Sequence, residues 1–277
     1  MLSITTDYVQ DTGSPEPYLR RIADAGFSYL HWCHHWNTDF LYSTHEIDQI
    51  AAWLDELGLR VLDVHASHGR EKTWGSSREY ERLAGIELVK NRIEMASQLG
   101  SDVIILHLPS LSSPGDADND AGLDRVRRSL DTLAPYARAR GVRIALENMA
   151  VDNFDVIGQL FSEYSADFLG LCYDAGHGNI SGRGLDRLEQ FKDRLISVHL
   201  HDNDSTGDQH NLLFSGTVDW DRLARIMAAS SYKKCVSMEL SIGRSGIVDE
   251  ALFLQRAFDT GAKFAAMIAD RRADGVG

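Results

Sequence analysis

Short apolar runs alternate with amphipathic helical patterns along nearly the whole 277-residue chain, and this alternation limits its fold more than any other feature. Residues 2–5 (LSIT), 27–31, 60–65 (RVLDVH), 102–107 (DVIILH), 142–147 (VRIALE), 168–174 (FLGLCYD), 195–199 (LISVH) and 234–239 (KCVSME) read as eight strands. Between them, residues 15–25 begin with a proline suited to a helix start, and 43–57 read as an amphipathic helix. Residues 77–100 place Leu83, Ile86, Val89, Ile93 and Ala96 on one stripe of period 3.6. A continuous apolar run such as DVIILH suits a parallel strand covered on both faces. Strand–helix alternation of this kind implies a parallel sheet.

Two parallel architectures compete. An open doubly wound sheet would carry a glycine-rich phosphate loop after an early strand, and neither G-x-G-x-x-G nor a Walker pattern is present. The expectation is a closed (β/α)₈ TIM barrel, α/β in class, whose usual size is close to this length. No linker, repeat or low-complexity tract divides the chain, so residues 1–277 are expected to form one domain. One segment, 109–122, is rich in Ser, Gly, Asp and Asn and reads as a loop.

The ionisable residues fall at particular places. Strands run apolar and then stop at His65, His107, Glu147, Asp174, His199 and Glu239. In a TIM barrel all C-terminal strand ends open on one face, which holds the active site. Six metal-capable side chains therefore converge on one mouth, joined by His177 and the Asp208-x-His210 pair. Singly, such a His is a satisfied polar residue and such an Asp a helix N-cap, as Asp174 can be. As a set they are harder to dismiss, because buried carboxylates are costly unless paired or coordinated, and no Arg or Lys lies beside these in sequence. Mixed carboxylate and imidazole donors suit Mn²⁺, Co²⁺ or Zn²⁺ better than Ca²⁺.

Glu147-Asn148 at a strand end, Asp174-x-x-His177, His199-x-x-Asp202 and the strand-final Glu239 resemble the xylose-isomerase-like TIM barrels, over most of the chain. That superfamily holds sugar isomerases, ketose 3-epimerases, inosose-processing enzymes and endonuclease IV. The resemblance to its epimerase branch implies one divalent ion on Glu147, Asp174, His199 and Glu239. The resemblance to endonuclease IV implies up to three zinc ions on His65, His107, Glu147, Asp174, His177, His199, Asp208, His210 and Glu239. A further ion would then engage His177, Asp208 and His210. Both branches often read Gly-x-Gly after the last His, where this chain has Phe214-Ser215-Gly216 and keeps only the second glycine. Asp219 is expected to cap the next helix.

The expected function is metal-dependent isomerisation or epimerisation of a sugar, polyol or inosose by proton transfer next to a carbonyl that the ion polarises. Glu147 and Glu239 are the candidate acid–base pair. His65, His107 and His177 would orient substrate hydroxyls, and Trp36 or Trp74 would stack on the sugar ring. His68 and His201 read as ordinary polar loop residues.

The alternatives are an endonuclease IV-like zinc phosphodiesterase acting on DNA, and a metal-dependent sugar dehydratase or lyase. With 28 basic against 41 acidic residues the formal charge is -13, which opposes binding to a nucleic-acid backbone or an anionic membrane surface. The expected partner is a small carbohydrate, with no nucleic acid and no membrane; a homo-oligomer stays open. Cys33, Cys172 and Cys235 form no disulfide framework, and the first residues carry no export pattern, so a cytoplasmic location is expected.

Overall fold

The computed structural model describes residues 1–9, 13–111, 119–273 and 275. In chain order these form β1 (Leu2–Thr5), α1 (Glu16–Asp24), β2 (Tyr29–Trp32), α2 (Thr44–Leu57), β3 (Arg60–His65), α3 (Glu79–Gln98), β4 (Val103–Leu106), α4 (Asn119–Arg138) and β5 (Arg143–Glu147). There follow α5 (Phe154–Glu163), β6 (Leu169–Asp174), α6 (Ala175–Ser181), α7 (Gly184–Phe191), β7 (Leu195–His199), α8 (Trp220–Ala229), β8 (Val236–Met238) and α9 (Glu250–Ala273). All strand pairs are parallel, in the order β7-β6-β5-β4-β3-β2-β1-β8. The ends of this sheet meet just beyond β7. There Leu200 N–H donates to the Ser237 carbonyl (3.0 Å) and Glu239 N–H donates to the Leu200 carbonyl (3.1 Å). The result is a nearly closed eight-stranded TIM barrel.

Local chemistry explains the boundaries. Ser43 and Glu46 form a reciprocal capping box at the start of α2, and Gly58 ends that helix at φ 67°, a conformation only glycine adopts without strain. In α3, Ile86, Val89, Ile93 and Ala96 are buried as the stripe expects, but Leu83 is 48% exposed. The buried face takes Arg82 in its place, held by Glu79 and by the Ser129 hydroxyl. The loop expected over 109–122 is shorter than the composition suggests, because α4 begins at Asn119; residues 112–118 lie outside the described part. Gly122 shows why a glycine sits inside that helix: a Cβ there would lie 1.8 Å from the Leu111 carbonyl oxygen.

Side-chain alternation sets the layers. Two residues before His107, Glu147 and Asp174 stand Ile105, Ala145 and Cys172, which cluster with Val103 and Ile196 below the mouth. The three cysteines are all buried and unpaired. No helix among the described residues is long and apolar enough to cross a membrane.

Candidate functional site

The strand ends converge as the register requires. Donor atoms of Glu147, Asp174, His199 and Glu239 all lie within 4.8 Å of one another. His199 Nδ1 is 3.0 Å from Glu239 Oε2 and 3.2 Å from Glu147 Oε1. Beside this group, His107 Nε2 stands 3.1 Å from Glu147 Oε2 and 3.2 Å from His65 Nε2. Asn148 ties the two central strand ends together: its side chain accepts from Asp174 N–H (2.8 Å) and donates to the Asp174 carbonyl (3.0 Å). Asp174 both joins the cluster and caps α6, accepting from His177 N–H at 2.6 Å.

A third group lies outside the first two. Asp208 Oδ2 is 3.1 Å from His210 Nε2 and 3.5 Å from His177 Nε2. His201 belongs here too, which corrects the expectation of an ordinary loop residue. It is fully buried, its Nε2 is 3.1 Å from Asp174 Oδ1, and its ring stacks on His210 at 4.1 Å. Residues two apart on a strand share a face, so alternation itself sets His201 on the side of His199, and the chain turns only beyond Asp202. Asp202 anchors that turn by accepting from Val218 N–H (3.1 Å) and Trp220 Nε1–H (2.8 Å). Gly176 lets α6 lie against the imidazole, since a Cβ there would come within 1.9 Å of His201 Cε1.

The loops bearing these residues are locally strained. Among the described residues, the non-glycine positions with left-handed backbone are His35, Ser205, His210 and Phe214, all in loops after β2 and β7. Phe214 fills the position of the missing glycine at φ 67°, held by Trp220 (ring centroids 5.3 Å apart) and by Lys263 Nζ 3.8 Å from its centroid. Asp219 caps α8 as expected, accepting from Arg222 N–H at 2.9 Å.

Three of the histidines share one device. His65, His177 and His210 each donate Nδ1–H to a backbone carbonyl, of Ala66 (2.9 Å), Asn148 (3.0 Å) and Glu239 (2.9 Å). In neutral imidazole that fixes the lone pair on Nε2, the tautomer a metal ligand needs.

Charge balance in the mouth rests on imidazole. Among the described residues no Arg or Lys forms an ion pair with Glu147, Asp174, Asp208 or Glu239. Burial pushes the Glu147 carboxyl up, but His199 and His107 outweigh it and hold it well below the ordinary range. Glu239 behaves alike, with His199 overcoming burial. His177 is raised to about 11 by Asp174 and Asp208 against burial, and His210 to about 10 by Asp208. His65 moves the other way, pushed well below the usual imidazole value by burial and by neighbouring His107.

The two candidate stacking residues part company. The Trp36 ring lies 4.7 Å from His65 and 5.4 Å from His107, at the edge of the mouth. Trp74 is 1% exposed and belongs to the core, so it cannot stack on a ligand there. Its carbonyl accepts from the Ser129 hydroxyl at 2.7 Å, and Gly85 of α3 packs so closely that a Cβ would fall 2.4 Å from Trp74 N. His68 is an exposed loop residue, as expected. His31, inside β2, has no part in the sequence expectations, yet it is a fully buried histidine 4.3 Å from the His199 ring; its only sequence signal is its place at the end of the apolar run 27–31.

Comparison with known proteins agrees with this architecture. The protein y4fM of Sinorhizobium fredii (strain NBRC 101917 / NGR234), described as uncharacterized, is 31% identical over 279 residues, covering 92% of this chain and 89% of its own. An L-ribulose 3-epimerase structure superposes with a TM-score of 0.78 at 17% identity, over 99% of this chain and 96% of that one. The IOLI protein with a bound zinc atom superposes at 0.72 and 15% identity, over 98% of each chain. The family described as "Xylose isomerase-like TIM barrel" matches residues 19–257. With that match spanning most of the barrel, the chain belongs to the xylose isomerase-like TIM-barrel family.

Proposed function

We propose that the chain is a divalent-metal-dependent isomerase or epimerase of a sugar, polyol or inosose. The observation that carries this reading is the convergence of Glu147, Asp174, His199 and Glu239 within 4.8 Å, the first three buried and Glu239 partly so, with no Lys or Arg paired to the carboxylates among the described residues. The donor set fits an ion. Both ring nitrogens of His199 are buried and lack a hydrogen-bond partner, although Nδ1 faces two carboxylates. Glu147, Asp174, His199 and Glu239 would hold Mn²⁺, Co²⁺ or Zn²⁺. When bound, such an ion supplies Lewis-acid stabilisation of negative charge developing on a substrate oxygen.

The chain's own residues supply the rest. Glu147 on β5 and Glu239 after β8 reach the centre from different sides of the mouth, so one can take a proton from a carbon next to a carbonyl while the other returns it. His65, His107 and His177 are placed to orient hydroxyls, and Trp36 offers an apolar face at the rim. Similarity to the structure of an L-ribulose 3-epimerase supports the same reading.

A second reading has its own observation. His65, His107 and Glu147 form one further donor group, and His201, Asp208 and His210 another, so three ions fit, as a zinc phosphodiesterase would need. The charge of -13 weighs against a DNA substrate. One experiment separates the readings: metal-loaded protein is offered ketoses, aldoses and inososes in heavy water, and an abasic-site duplex at physiological salt. The isomerase reading expects solvent deuterium on the product carbon and an intact duplex. Zinc-dependent nicking with no sugar turnover would replace it with the phosphodiesterase.

A further inference from the structure

Resting on the metal-centre reading above, we propose that His31 is an additional ligand of the same ion, entering from the floor of the barrel through Nε2. His31 lies within β2, level with Asp63 of β3 and so one layer below His65 and the mouth, and is fully buried. One donor atom of His31 lies within 4.8 Å of one each of His199 and Glu239, the two residues this group shares with the four-residue set; Glu147 and Asp174 are not in it, so His31 approaches from the His199 and Glu239 side. The ring is held from behind: Nδ1 is 2.7 Å from Asp63 Oδ1, and the other Asp63 oxygen accepts from the Ser197 hydroxyl. Asp63 therefore takes the Nδ1–H, which leaves the Nε2 lone pair directed away from it. That nitrogen is buried and has no hydrogen-bond partner.

A carboxylate behind an imidazole, with the far nitrogen open, is the arrangement that orients a metal-bound histidine and raises its basicity. It is also the device seen at His65, His177 and His210, with a carboxylate in place of the backbone carbonyl. A purely structural His31 would have no reason to leave Nε2 unpartnered, since a buried polar atom is normally satisfied. No Arg or Lys among the described residues pairs with Asp63 or His31.

The test uses cobalt alone. Metal-free wild type, His31→Gln and Asp174→Asn are titrated with Co²⁺, following both affinity by chelator competition and the visible d–d spectrum. We expect His31→Gln to weaken Co²⁺ binding at least tenfold and to change the spectrum, and Asp174→Asn to hold less Co²⁺ than wild type. Wild-type affinity with an unchanged spectrum in folded His31→Gln would overturn the proposal while leaving the metal centre intact. Wild type that takes up no Co²⁺ would overturn the metal-centre reading itself. Should His31→Gln fail to fold, nitrogen-15 histidine spectra of wild type loaded with cadmium-113 decide. One-bond coupling at His31 Nε2 supports the proposal, and its absence refutes it.

Discussion

The two ends of the barrel satisfy their carboxylates in opposite ways. At the N-terminal face, Asp102 precedes β4 and pairs with Lys234 Nζ and with Arg143 Nη2 (3.2 Å). Burial raises this carboxyl, but Lys234 and then Arg143 bring it below the usual value. At the mouth, Glu147 and Glu239 are more deeply buried and have imidazoles instead. A Lys or Arg partner stays charged at any physiological pH and makes a permanent structural pair. An imidazole can lose its proton and become a ligand, so the mouth's neutralisation is exchangeable with a divalent ion. Conservation of stability belongs to one face of this fold and chemistry to the other, and the choice of cation marks which is which.

The largest effect expected from this contrast is on turnover. Glu147→Gln or Glu239→Gln should lower it by about 10²–10⁴ in variants whose metal content is unchanged, the range of general acid–base catalysis. Asp102→Asn should leave turnover alone and cost about 1 kcal/mol of stability or less, as a half-exposed pair does. Rate measurements with metal analysis on all three variants check it. A metal-loaded Gln variant with near-normal turnover would take both faces out of the contrast.

A smaller effect is expected from pH. His177, His210 and His199 are all raised above the ordinary 6.5 in the metal-free protein, His199 by Cys172, Glu239 and Glu147 against burial. For His177 and His210 the contribution to metal-free stability is complete below 6.5 and is lost as pH climbs through about 11 and about 10 respectively. Glu147 and Glu239 are held low, so their contribution is complete above 4.5 and disappears on acidification. An incoming ion must displace the imidazole protons, so apparent affinity should rise by roughly tenfold per pH unit for each proton released. Isothermal titrations across neutral pH in buffers of different ionisation heat count those protons. Affinity independent of pH would mean the histidines are already neutral.

The barrel and most of its mouth were legible because both depend on period. Eight apolar runs with one helical stretch or more between them fix a parallel sheet, whose common strand direction then brings His65, Glu147, Asp174 and His199 to one end. What escaped depends on contacts that no period encodes. His201 reads as a loop residue because polar residues follow it in sequence; its burial comes from the fold-back that Asp202 anchors, which stacks His210 on its ring. Trp74 reads from sequence as a residue able to stack on a sugar, but Gly85 and Ser129 draw its loop under α3 and α4. Leu83 fell off the buried stripe because Arg82 found Glu79 and Ser129. The His31–Asp63–Ser197 chain joins three strands, and a pairing across 134 residues leaves no local trace.

The central claim, that imidazole-neutralised carboxylates at the mouth are a divalent-metal centre, is tested most directly by elemental analysis. It should be paired with thermal unfolding of the protein before and after chelation. At least one Mn²⁺, Co²⁺ or Zn²⁺ per chain is expected, with a midpoint that falls on chelation and returns when the ion is restored, because a ligand bound to the native state stabilises it. Asp174→Asn should hold less metal and respond less. Protein that carries no metal, and whose midpoint none of the three ions moves, would contradict the claim.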